Sequence, residues 1–299
     1  MKRRDFIKDV AVGGAALHWA PRILAAPAAG PAPAPAVAVI EGESPALITK
    51  EAVAALGGMK RFISKGDKVL IKPNIGWDRT PEMAACTNPE VVKALVELAQ
   101  EAGAKTVTVI DNTTNQAKRC YVRSGILEAV KATGASMPYA DEDRMKKTAL
   151  KGEWLKEWNV ALDVLEADKI INVPIAKHHS LCRLTMGMKN WLGAIGDPRN
   201  QLHQKLDEVM VDLAAFFKPA LTVLDAYRIL IRNGPQGGRL SDTKLVKTVV
   251  AGTDPVAVDA LGATFFDVKP EELLYLRLAQ DRGLGKFDLE KVKVERRKI

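Results

Sequence analysis

The chain has 299 residues, of which 47% are hydrophobic and 27% charged. That length suits one large domain or two small ones, with a core that needs no disulfide staples. The formal charge is +8 but only 5% of residues are aromatic, and no basic helix carries interleaved stacking side chains, so nucleic-acid binding is excluded as a working class.

The first residues read as an address rather than as fold. Lys2-Arg3-Arg4-Asp5-Phe6-Ile7-Lys8 is a charged segment with a twin-arginine pair, a weakly apolar stretch runs from Val10 to Ala20, and Ala26-Pro27-Ala28 offers a cleavage site. The expectation is a Tat signal over residues 1–28, an Ala/Pro-rich tether over 29–36, and one α/β domain over 37–299 in the periplasm or exported beyond it. The Tat translocase would be a partner during export. Residues 1–28 hold five basic and two acidic side chains, so cleavage takes the net charge from +8 to +5. A mildly basic protein of this kind suits a small anionic ligand. No other apolar run is long enough for a stable membrane span in the mature protein.

Strand and helix signals then alternate. Residues 36–40, 68–72 and 106–110 read as apolar strands. Asn88-Pro89-Glu90 opens a helix with apolar positions at helical spacing, stopped by Gly103, and Ser124 caps a short helix to about Lys131. The stretch from Arg144 to Trp158 is irregular and reads as a small insertion around 140–165. Strands follow at 168–173, 220–224 and 246–250. Leu206, Val209, Met210, Leu213, Phe216 and Phe217 mark an amphipathic helix, Asp254-Pro255 opens another, and 271–281 is the last. The expected fold is α/β, a largely parallel sheet with helices on both faces.

In such sheets ligands bind beyond the carboxyl ends of the strands. Those ends carry Lys72 and Asn74, Asp111, Lys177-His178-His179, Asp225 and Asp254. Each has a bland reading as a cap or turn residue, Asp254 most of all as a helix N-cap. Their coincidence is the functional signal. His178, His179 and Cys182 stand at i, i+3 and i+4 spacing, which on a helix would suit a divalent metal, although no recognised zinc pattern has this order. Gly187, Gly193 and Gly196 surround Lys189 and Asn190, where backbone N–H groups and an ammonium could meet an anion. P-loop, dinucleotide and nucleophile-elbow motifs are missing. Cys86, Cys120 and Cys182 form no CxxC or ferredoxin run; an iron–sulfur cluster has no sequence signature, and buried free thiols are the simplest account.

The segments "VLIKPNIGW", "TNPEVVKAL", "CYVRSGI", "INVPIAKHHSLCRLTMGMKNWLGAIGD", "LTVLDAYRILIRNGPQGG" and "AGTDPVAVDALGA" occur in the order found in the domain of unknown function 362 family, which this chain resembles over about residues 36–265. The resemblance implies an α/β domain, often exported by the Tat route. Some members carry an appended ferredoxin-type cluster motif that is missing here. It also implies one site holding Lys72, Asn74, Asp111, His179, Lys189, Asn190, Asp225 and Asp254.

Three functions follow as expectations. The first is an exported, metal- or cofactor-dependent enzyme acting on a small anion, with His178, His179 and Lys189 in catalysis and Lys72, Asn74, Asp111, Asn190, Asp225 and Asp254 binding the cofactor or ligand. The second is a periplasmic metal- or solute-binding protein without turnover. The third is an iron–sulfur or thiol redox accessory protein.

Overall fold

A computed structural model describes residues 36–299. The expected leader, and all but the last residue of the expected tether, lie outside the described residues. In chain order the elements are β1 (Val37–Glu41), α1 (Pro45–Ala55), β2 (Lys68–Pro73), α2 (Pro89–Glu101), β3 (Thr106–Val109), α3 (Ala117–Arg123), α4 (Ile126–Lys131), β4 (Met145–Ala149), β5 (Glu157–Ala161), α5 (Leu162–Leu165), β6 (Lys169–Val173), β7 (Ile175–His179), β8 (Arg183–Thr185), α6 (Gly187–Asn190), α7 (Leu206–Phe217), β9 (Leu221–Leu230), β10 (Thr243–Gly252), α8 (Pro255–Thr264), α9 (Leu274–Asp281) and β11 (Val294–Lys298).

The main sheet runs β11-β1-β10-β9-β6-β2-β3, with β7 continuing beside β9 and β8 folded back on β7. Pairings β2–β3, β2–β6, β6–β9, β7–β9 and β1–β11 are parallel, which makes the sheet mostly parallel as expected. Pairings β9–β10, β10–β1 and β7–β8 are antiparallel. No α-helix lies between β9 and β10, and without a crossover the chain returns beside itself. The irregular stretch before β6 is a separate antiparallel hairpin, β4 with β5.

Apolar residues alternate through the strands and feed a core on each face. Ala38 and Ile40 of β1, Val249 and Ala251 of β10, and Leu221 and Val223 of β9 face the layer that contains Val92 and Leu95 of α2. Val37 and Val39, Val250 and Leu224 face the opposite layer with Met210 of α7 and Leu261 of α8. Two helices start where the sequence places caps. The Asn88 side chain accepts from Glu90 N–H ahead of Pro89, and Asp254 accepts from Val256 and Ala257 N–H ahead of Pro255. Ser124 closes α3, and Gly125, at φ 75°, starts α4. Among the described residues no helix is long and apolar enough to cross a membrane.

Strands β2, β3, β6, β7 and β9 all point the same way. Pro174 interrupts the run between β6 and β7, and its carbonyl accepts from Asp225 N–H in β9. The chain therefore advances past the end of β2, carrying Lys177 and His179 beyond the sheet edge.

Candidate functional site

Beyond these strand ends lies a cavity of about 410 Å³ whose lining includes Asn74, Asp111, Lys177, His179, Lys189 and Asn190. Its floor is an ion pair. Lys72 is 0% exposed and Asp111 2%. Lys72 Nζ donates to Asp111 Oδ1 at 2.5 Å, to Pro73 O at 2.8 Å and to Asn190 Oδ1 at 3.2 Å, while Asp111 Oδ2 accepts from Ile75 N–H at 2.5 Å. Burial lowers the Lys72 pKa and raises that of Asp111, and each charge opposes the other's shift. A buried pair survives when its remaining donors and acceptors are matched, as they are here. Tyr121 OH holds the Asp111 backbone on both sides, accepting from its N–H at 3.1 Å and donating to its carbonyl at 2.9 Å.

From this floor an amide chain leads to a second lysine. Asn190 Nδ2 donates to Lys72 O and to Asn172 Oδ1, and Asn190 Oδ1 accepts from Asn74 Nδ2 at 3.2 Å. Asn74 Oδ1 in turn accepts from Lys177 Nζ at 2.9 Å. Lys177 is 1% exposed and has no carboxylate partner; its other acceptor is Ala85 O at 2.5 Å. Burial pushes its pKa down to about 8. Lys189, half-buried on the cavity wall, has neither a hydrogen bond nor an ion pair among the described residues, and burial lowers its pKa too.

His179 is 4% exposed. Burial first, then the nearby Lys189 and Lys177 ammoniums, push it down to about 3, so the ring is neutral. Its Nδ1 accepts from Leu181 N–H at 3.1 Å, which leaves the ring proton on Nε2. Arg199 staples the rim, donating to Asn112 O, Thr113 O and Leu192 O and pairing with Asp197. Thr185 Oγ1, buried against the cavity, has no hydrogen-bond partner among the described residues.

The structure thus gathers Lys72, Asn74, Asp111, His179, Lys189 and Asn190. The other expected residues lie elsewhere, each for a physical reason. His178 and His179 are neighbours on a strand, so their side chains leave opposite faces; His178 Nδ1 accepts from Gly234 N–H. Cys182 sits in the β7–β8 turn, buried, with its thiol donating to Leu184 O and pushed up to about 11 by burial. Helical spacing does not apply to a hairpin, and His178, His179 and Cys182 do not converge. Among the described residues no group of three His, Cys, Asp or Glu side chains is placed to hold a metal ion.

Asp225 lies within a strand longer than expected, where its carboxylate accepts from Asn88 and Tyr227 N–H and burial raises it to about 6. Asp254 follows a strand that runs against β9, so it stands at the opposite end of the sheet, capping α8 and holding Lys286 N–H. Cys86, Cys120 and Cys182 are all free and buried, and burial pushes the Cys86 thiol up to about 12.

Sequence reasoning places Lys177 at a strand end but assigns the chemistry to the adjacent histidines. The available signal is a lysine directly after the largely apolar run Ile170–Ala176. Arg199 carries no local signal for its place on the rim, since Asn112 O and Thr113 O, which tie it there, come from a distant segment.

Fold and cavity define an α/β protein with a lysine-bearing polar pocket at the ends of parallel strands. The chain belongs to the domain of unknown function family DUF362, which matches residues 69–264. It is similar to Thylakoid-associated protein sll1697 of Synechocystis sp., at 29% identity over 238 residues, covering 77% of this chain and 72% of that protein. Among solved structures it is similar to the lactate racemase apoprotein from Thermoanaerobacterium thermosaccharolyticum, with a TM-score of 0.46 and 13% identity over 76% of this chain. A protein from Thermotoga maritima gives a TM-score of 0.41 and 11% identity over 74% of this chain. The chain spans 56% and 59% of those two structures.

Proposed function

We propose that this protein is an exported enzyme that takes a small organic anion into the cavity beyond β2, β3 and β7. The observation that carries the reading is Lys177 and Lys189 lining one cavity with neither paired to a carboxylate among the described residues. A buried ammonium without a counterion is costly, and a ligand carboxylate or phosphate would supply the missing charge. Asn74 and the unpartnered Thr185 hydroxyl would fix its orientation, and the His179 Nε2–H is a neutral donor beside it. The twin-arginine segment at Arg3-Arg4 supports export. Cys86 and Cys182, buried and held as thiols, give the redox reading no support.

The test is thermal melting with a panel of small carboxylates and phosphates. A ligand should raise Tm in the native protein and not in Lys177→Met/Lys189→Met. A panel that shifts both alike would remove the reading. Export is tested separately: Arg3→Lys/Arg4→Lys should hold the protein in the cytoplasm. A second reading, capture without turnover, is favoured by His179. At about 3 its pKa lies outside the range where imidazole trades protons near neutrality.

A further inference from the structure

Two lysines are fully buried in this site, and their surroundings set them apart. Lys72 Nζ has three acceptors, one of them a carboxylate: Asp111 Oδ1, Pro73 O and Asn190 Oδ1. An ammonium has three N–H bonds to place, and that set matches it. Lys177 Nζ has two acceptors, Asn74 Oδ1 and Ala85 O, and neither is charged. A neutral amine has two N–H bonds and one lone pair. Two neutral acceptors satisfy it and leave the lone pair free. An ammonium at the same place would hold one N–H unmatched, a costly state for a buried donor. Because the side chain is 1% exposed and lines the cavity, the cavity is where that lone pair is usable.

We infer that Lys177 is a nucleophile that condenses with the carbonyl carbon of a small oxo acid to form an imine, while Lys189 holds the acid group. This rests on the reading of the cavity as a site for a small organic anion. The Nζ lone pair forms the C–N bond, and the carbonyl π electrons move to oxygen. That oxygen takes up a proton and nitrogen releases one, giving a carbinolamine. Protonated again, the hydroxyl leaves as water while the nitrogen lone pair closes the C=N bond, and the resulting iminium nitrogen releases its remaining proton. Amine and carbonyl become imine and water, with no change in oxidation state. A desolvated lysine near a second cation is a recognised way to obtain such an amine near neutral pH. The pKa of about 8 fits that requirement, and Lys189 is the second cation. His179, neutral and carrying its proton on Nε2, lines the same cavity and offers a donor to the departing oxygen.

The test traps the imine. The full chain is incubated with glyoxylate, pyruvate or succinic semialdehyde together with cyanoborohydride, which reduces the iminium to a stable secondary amine, and the adduct is located by peptide mass mapping. One adduct per chain on Lys177 is expected, forming faster at pH 8 than at pH 6 and missing from Lys177→Met. Lys189→Met, which keeps the amine, should weaken trapping about tenfold, the worth of one charge-assisted hydrogen bond. Adducts scattered over surface lysines, with Lys177 unmodified in the native protein, would overturn the inference. Melting with acetate, propionate and succinate, which lack the carbonyl, separates the two readings. If these acids raise Tm and no probe modifies Lys177, the imine falls and the anion site stands. If neither happens, both fall.

Discussion

Lys72 and Asp111 show why the site carries risk for the fold. Each is held by the other and by a full set of hydrogen bonds, so removing one strands a buried charge. Asp111→Ala should cost about 3–5 kcal/mol in urea unfolding, and Lys72→Met/Asp111→Leu should recover much of it. Lys177 has the opposite character. Its pKa of about 8 lies below the ordinary 10.5 of the unfolded chain, so between those values the native state binds fewer protons. Stability therefore rises as pH climbs from about 8 to about 10.5, and below pH 8 the burial penalty is fully present. That penalty is of order 3 kcal/mol. Lys177→Met should flatten the difference, read as the gap between native and variant stability curves across that window.

At the scale of elements, what the sequence shows depends on how local the determinant is. Helices α2 and α8 are legible because cap and proline stand side by side, at Asn88-Pro89 and Asp254-Pro255. Strands β2, β3 and β6 are legible as short apolar runs. The direction of β10 is not, because it depends on pairing with β9, and no residue within β10 encodes it. That one reversal moves Asp254 to the far end of the sheet. Asp254→Ala should therefore cost about 0.5–2 kcal/mol as a lost cap and leave anion affinity unchanged in the melting assay. A variant that folds normally but loses the ligand would return Asp254 to the site. The β7–β8 hairpin is hidden for a related reason. Pro174 reads as a stop, whereas it marks a change of partner: β6 before it pairs with β2 and β9, and β7 after it pairs with β9 and β8. The metal expectation at His178, His179 and Cys182 fails with it, since it assumed a helix there.

At the scale of the whole molecule, the five parallel strands deliver their ends to one edge. This is why Lys72, Asn74, Asp111 and His179 could be grouped from strand ends alone. Lys189 and Asn190 follow from the glycines around them. The role of Lys177 and the place of Arg199 required the fold, because Asn74 and Ala85, and Asn112 and Thr113, reach them from distant segments. One of those glycines has a wider consequence. A Cβ on Gly193 would stand 1.8 Å from Asp111 Oδ1 and 2.6 Å from Lys72 Nζ, so the position tolerates no side chain while the ion pair is in place. In lineages descended from a common ancestor, three positions far apart in the chain then behave as a single heritable character. Members of the family that keep lysine and aspartate at 72 and 111 should keep glycine at 193, and those that have lost the pair are released to vary there. An alignment in which 193 drifts freely beside an intact pair would show that the floor of the cavity is built differently in those relatives.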